Sequence, residues 1–200
     1  RSHFFIPVCV IALVVCIGSL CVGRYGIGPL EAVKILLSRI IPMESTWTPT
    51  MENVVFRIRL PRMLVAAMVG GALSLSGSVY QGIFKNPLVS PDLLGVSSGA
   101  CVGAAIAILL GLGGTGIQIL ALIAGLLAVL MTTMLPRLLK NRSTMVLVLS
   151  GIIVSGFFGA LMGIIKFVAD PQTELAEITY WTMGSIAGAN MQDVFSVLPA

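Results

Sequence analysis

The chain has 200 residues, of which 57% are hydrophobic and only 10% charged, with 12 Lys and Arg set against 8 Asp and Glu. A soluble domain needs about 25% charged residues to wet its surface, so most of this surface faces something other than water. The net charge of +4 includes no dense basic run that could track a phosphate backbone, which excludes nucleic acid as a partner and leaves an all-α integral membrane protein.

A hydrocarbon core about 30 Å thick needs about 20 apolar residues in helix. Residues 4–22 form the first such run. It is longer than the roughly 7–15 apolar residues of a cleavable signal, so it reads as a retained span. The one long polar segment follows, from Arg24 to Arg62. Inside it, PLEAVKILLSRII at residues 29–41 places Leu30, Val33, Leu37 and Ile40 on one face and Glu31, Lys34 and Ser38 off it. That pattern predicts a short amphipathic helix at the interface, resting on the bundle as a lid.

The second predicted span is the charge-free run 63–84. Residues 93–135 carry no charge and are too many for one crossing. GLGGTG at Gly111–Gly116 breaks helix strongly, which divides the run into a third span, 93–110, and a fourth, 117–136. A short basic connection ends at Arg142. Residues 143–165 are the fifth span, and 166–192 a mixed loop with a helical piece. A sixth span begins near 191, but Val194 to Ala200 is too short to cross. The sequence therefore reads as the N-terminal part, residues 1–200, of a single transmembrane domain. It is a polytopic helical bundle with about five complete transmembrane helices and the start of a sixth.

With the amino terminus inside, Arg1, Lys85, Arg137, Lys140 and Arg142 are cytoplasmic, and subtracting Asp92 leaves +4 there. The other seven basic residues face seven acids outside, for a net charge of zero. A raw count of Lys and Arg opposes this orientation. Net charge and the purely basic short loop at 137–142 favour it, and it is adopted.

Chemistry-bearing residues are few. Cys9, Cys16, Cys21 and Cys101 lie in or beside apolar runs without CxxC spacing and read as small buried hydrophobes. The one histidine, His3, precedes the first span, and no HExxH, GxSxG or GxxxxGK[ST] occurs. No catalytic residue, metal site or cofactor is predicted, and the chain does not hydrolyse ATP.

Small residues recur at helical spacing. Gly95, Gly99 and Gly103 form one ladder, Gly151, Ser155, Gly159 and Gly163 another. Gly70 with Ser74, and Ala72 with Ser76, form a looser one. Such ladders let backbones approach in lipid, so they are expected to pack helices rather than to hold a ligand. Between the second and third spans, KNPLVSPD at Lys85–Asp92 cannot be regular helix, because each proline removes an amide donor and clashes with the preceding turn. Ser90-Pro91-Asp92 reads as a helix start, with an N-cap, a proline at the first position and an acid at the positive dipole end.

These residues also resemble a known family, the FecCD-type permeases of bacterial ABC importers. The resemblance rests on RLPR at Arg59–Arg62, GGALSLSGSVYQ at Gly70–Gln81, NPLVSPDLLGVSSGA at Asn86–Ala100, LVLSG at Leu147–Gly151 and YWTMGS at Tyr180–Ser185. It implies ten spans per subunit and a multi-pass place in the bacterial cytoplasmic (inner) membrane. A second permease subunit, identical or homologous, two cytoplasmic ABC ATPase subunits and an extracytoplasmic substrate-binding protein would complete the importer. The cargo implied is an iron chelate, with ferric siderophore the commonest class and haem or cobalamin the alternatives. Residue by residue, Arg59 matches the family arginine that pairs with a glutamate of the binding protein at the outer rim, and Arg57 and Arg62 are expected either to assist it or, the preferred reading, to anchor at lipid headgroups. Asn86 and Leu88 match one segment of the cytoplasmic gate, Ser143 and Thr144 the other. Met145 departs from the small polar residue of the cobalamin permease. The helix carrying Gly151 to Gly163 resembles the path-lining helix.

Other classes are weaker readings. An ion-coupled secondary transporter places ionisable groups within its spans, and the five predicted spans contain none. A channel explains the paired prolines and the arginines less well.

Overall fold

The computed structural model describes residues 2–42, 44–87, 89–140 and 143–198, with the side chains described from Phe5 onward. Among the described residues all regular structure is helical. The chain divides into two compact units, one made of residues 1–71 and 186–200, the other of residues 72–185.

In the first unit, α1 (Ser2–Cys21) carries Pro7 in its second turn, where the proline costs the helix one backbone hydrogen bond. The amphipathic segment forms α2 (Pro29–Leu37), with Pro29 at its first position and the Glu31 carboxylate accepting from the Gly28 amide. Its buried face differs from the expected one. Ala32 and Ile35 are fully buried, with Leu20, Ile27 and Val55 around them. Leu30 and Ile40 stand 79% and 80% exposed. The small Ala32 allows the closer approach, and the bulkier stripe is left facing outward.

The end of the polar segment, expected to precede the second span, is the start of the same long helix. Thr48 caps α3 (Pro49–Asn53) by accepting from the Met51 amide, a π-helical stretch follows at Val54–Arg59, and α4 (Leu60–Phe84) continues from it. The whole run, Pro49–Phe84, is 36 residues. Pro61 explains the π-helical stretch. A proline there cannot donate and its ring crowds the carbonyl four residues back. Widening the preceding turn, with the Leu60 amide reaching back five residues to the Val55 carbonyl, relieves the crowding without ending the helix. In the same unit, Asn190 caps α9 (Met191–Val197) and exchanges hydrogen bonds with Asp193.

In the second unit, Lys85 takes a left-handed conformation, φ 48°, and ends α4. The chain then runs through a 3₁₀ turn at Pro91–Leu94 into α5 (Val96–Leu109), α6 (Gly114–Leu138), α7 (Thr144–Val168) and α8 (Glu174–Met183). Lys140, φ 52°, closes the turn after α6 as Lys85 does after α4. The core lies among α5, α6 and α7, where Val102, Ala128, Val154 and Phe158 are buried together. Ala104, Ala105, Ile108, Ile117 and Ala121 form a second cluster with Ile178 of α8.

Among the described residues three helical runs are long and apolar enough to cross a membrane: Pro49–Phe84, Gly114–Leu138 and Thr144–Val168. Phe5–Cys21 and Val96–Leu109 are shorter apolar helices. The latter is 14 residues, about 21 Å at 1.5 Å per residue, because the predicted third helix is broken. Ser90 is extended and Pro91 begins a helical turn, as expected, but Gly95 turns left-handed, φ 76°, and α5 starts only after it. Many outward side chains of the long helices, among them Ile83, Leu122, Leu126 and Ile152, are apolar and exposed. Exposed apolar surface of this extent suits lipid or further helices.

Candidate functional site

Arg59, expected on the outer rim, is buried at 9% exposure. Its Nη1 donates to the Leu20 carbonyl at 2.6 Å and to the Cys21 carbonyl at 3.0 Å, while its Nη2 donates to the Tyr25 carbonyl. These are the terminal carbonyls of α1 and one from the loop beyond, groups that a helix end leaves without intrahelical donors. A cation there also meets the negative end of the helix dipole. The π-helical stretch is what turns the Arg59 side chain into this position. Gly23 completes the fit, since a Cβ there would lie 2.7 Å from the Arg59 Nη2. With three hydrogen bonds to backbone carbonyls, Arg59 closes the end of α1. Arg57, two residues earlier, is exposed.

The residues matched to a gate sit at helix ends of the second unit. Asn86 follows the left-handed Lys85, and its carbonyl accepts from the Val89 amide at 3.3 Å. Leu88 lies outside the described residues. Ser143 caps α7, its hydroxyl accepting from the Met145 amide at 3.3 Å, and Thr144 is the first residue of that helix.

The small residues fall into two groups. Gly99 and Gly103 lie on the α5 face against α6. A Cβ on Gly99 would meet the Ala124 carbonyl oxygen at 2.6 Å and the Ala128 methyl at 2.7 Å, and one on Gly103 would strike the Leu120 carbonyl. Gly95 is no rung of that ladder but the joint before α5. A Cβ there would lie 3.1 Å from the Ser155 hydroxyl. Gly151 of α7 lies directly against the Leu93 carbonyl. Gly159 and Gly163, further along α7, are exposed and have no neighbouring atom among the described residues within 4 Å of where a Cβ would stand.

One polar contact in this region was not anticipated. The fully buried Thr132 of α6 donates its hydroxyl to the Leu94 carbonyl at 2.9 Å. The left-handed turn at Gly95 interrupts the helical ladder here, and the hydroxyl supplies a donor to this carbonyl. Thr132-Thr133, the one pair of hydroxyls within the otherwise apolar run of α6 after Gln118, is the signal that could have pointed to it. Polar side chains bonding across helices are a known adhesive in lipid. The joint at residues 93–95 is thus held from two sides, by the α6 hydroxyl and by the α7 glycine.

A cavity of about 780 Å³ opens in the first unit between α1, the loop after it and the start of α4. Its walls include Val15, Cys16, Ser19, Met63, Ala66 and Ala67, and Arg24, Arg59 and Arg62 border it. Among the described residues no group of His, Cys, Asp and Glu is placed to hold a metal ion.

The fold is thus that of a multi-pass helical membrane protein with close-packed small-residue seams. The sequence profile of the FecCD transport family matches residues 11–200, and the chain belongs to that family, whose bacterial members sit in the inner membrane. It is 36% identical over 174 residues to the molybdate import system permease protein of Haemophilus influenzae, covering 87% of this chain and 51% of that one. It is 46% identical over 144 residues to a Helicobacter pylori protein described as an iron chelatin transport system permease, covering 72% and 43%. It is 36% identical over 191 residues to the vitamin B12 import system permease protein of Escherichia coli, covering 94% and 54%. A solved structure described as a metal-chelate type ABC transporter in an inward-facing conformation superposes with a TM-score of 0.77 at 31% identity, over 98% of this chain and 57% of that one. The chain spans about half the length of these relatives.

Proposed function

We propose that this chain forms part of the permease subunit of an ABC importer, building one side of a path through the inner membrane for an iron chelate, with ferric siderophore the preferred cargo. The observation that carries the reading is the family match over residues 11–200 together with the runs 63–84, 93–135 and 143–165, which carry no Asp, Glu, Lys or Arg. Movement through such a path needs a drive from outside the chain. Two ATPase subunits on the cytoplasmic side would supply it, a second permease subunit would complete the path, and a binding protein would deliver cargo. The Helicobacter pylori relative's description supports the iron chelate.

Within this reading Arg57 takes the docking role towards a carboxylate of the binding protein. It is exposed, its fork suits bidentate carboxylate recognition, and Arg59, two residues on, fixes the end of α1. Asn86 and Leu88, with Ser143 and Thr144, form the cytoplasmic constriction, and the exposed glycine face of α7, Gly159 to Gly163, lines the path. Haem, cobalamin and molybdate remain rival cargoes, the last two because relatives of similar identity are named for them. A deletion strain grown on single ferric chelates, haem, cobalamin or limiting molybdate separates the four. Growth loss on ferric chelates alone is expected, and unimpaired growth on all four would refute the importer reading.

A further inference from the structure

The cavity between α1 and α4 has a composition that the importer role does not use. We propose that it is a binding site for an anionic phospholipid of the surrounding bilayer, with the phosphate between Arg24 and Arg62 and an acyl chain in the groove behind them. Both arginines mark the same edge of the membrane. Arg24 lies three residues past the end of α1, and Arg62 stands immediately before the charge-free stretch 63–84. From that edge the groove runs one to two turns inward along Ser19, Cys16 and Val15 of α1 and Met63, Ala66 and Ala67 of α4. It exists because small side chains face each other there. At about 780 Å³ it falls in the range of about 300–1,000 Å³ that holds a ligand of some size.

Charge selects the occupant. Three guanidinium groups border the cavity and no carboxylate does. Arg59 is committed to backbone carbonyls. Arg24 and Arg62 are exposed, and the one ion pair among the described residues is Arg39 with Glu52, at 3.6 Å. Two uncommitted cations at the interface above an apolar slot match a phosphodiester above an acyl chain, the arrangement by which basic pockets between membrane helices hold acidic lipid headgroups. An acidic peptide would satisfy the arginines and leave the apolar walls wet. This inference is independent of which cargo the importer carries.

The test is native mass spectrometry of the full-length protein with phosphatidylglycerol, phosphatidylcholine or glycerol phosphate added. The wild type is expected to retain phosphatidylglycerol about tenfold more strongly than phosphatidylcholine. Arg24→Gln with Arg62→Gln should remove that preference while leaving the elution profile of the detergent complex unchanged. Ala66→Leu should weaken retention of both lipids by filling the groove. Equal retention of the two lipids by the wild type, as when another segment of the protein fills the groove, would overturn the proposal. So would a preference that survives in the double variant, or glycerol phosphate displacing the lipid at equal concentration, which would mark a site for free anions alone.

Discussion

The Leu93 carbonyl lies against the backbone of Gly151, in the space that any side chain on α7 would need. At the next residue of the joint, the Leu94 carbonyl accepts from Thr132 of α6. The chain can change direction at Gly95 because both neighbouring helices are shaped to receive it.

Substitution at that contact should be costly. Gly151→Ala drives a methyl into a backbone carbonyl, which has no rotamer to move away. Overpacking of this kind costs about 1–3 kcal/mol, and a lowered melting temperature in detergent is the expected result. Gly95→Ala should behave alike, since its left-handed conformation costs an L-residue about 1–2 kcal/mol.

The two halves of the glycine pattern should respond in opposite directions. Gly103→Ala forces α5 away from the Leu120 carbonyl and should destabilise by about 1–3 kcal/mol. Gly159→Ala and Gly163→Ala meet nothing within 4 Å and replace a poor helix former, so melting should be unchanged or slightly higher. If these α7 glycines line the path, the same two variants should slow uptake without loss of stability.

Thr132→Val keeps the shape of the side chain and removes its hydroxyl. The Leu94 carbonyl then loses its donor from α6, and a loss of about 1 kcal/mol is expected from the measured strength of such bonds between membrane helices. Thr132→Ser should recover most of it in the same melting experiment.

Arg59 and Arg57 should separate stability from docking. Arg59→Met removes every guanidinium donor from three carbonyls and should lower stability by about 2–3 kcal/mol, since buried acceptors left without partners cost about 1–3 kcal/mol each and some regain water. Arg57→Glu should melt like the wild type but take up substrate slowly, with partial recovery when a carboxylate on the binding protein is changed to lysine. Wild-type uptake by Arg57→Glu would remove the docking role from this residue.

Apolar runs and glycine clusters carried the gross layout. The GLGGTG cluster separates α5, ending at Leu109, from α6, beginning at Gly114, because glycine is costly inside a helix wherever it sits. The joint at Gly95 was illegible for the converse reason. Gly95, Gly99 and Gly103 share one spacing, and nothing local tells a left-handed glycine from a packed helical one. The burial of Arg59 was illegible because nothing local to RLPR names its partners. The π-helical stretch that carries the helix past Pro61 and buries Arg59 depends on the Leu20, Cys21 and Tyr25 carbonyls, 34 to 39 residues away. The buried face of α2 likewise depends on partners elsewhere in the first unit.

The importer reading is tested most directly in proteoliposomes containing the full-length permease with its ATPase partner, supplied with binding protein and a radiolabelled ferric siderophore. The account predicts accumulation that requires both ATP on the ATPase side and the binding protein, and that persists when a protonophore collapses the proton gradient. Accumulation without ATP that the protonophore abolishes would contradict it, and would identify an ion-coupled carrier instead.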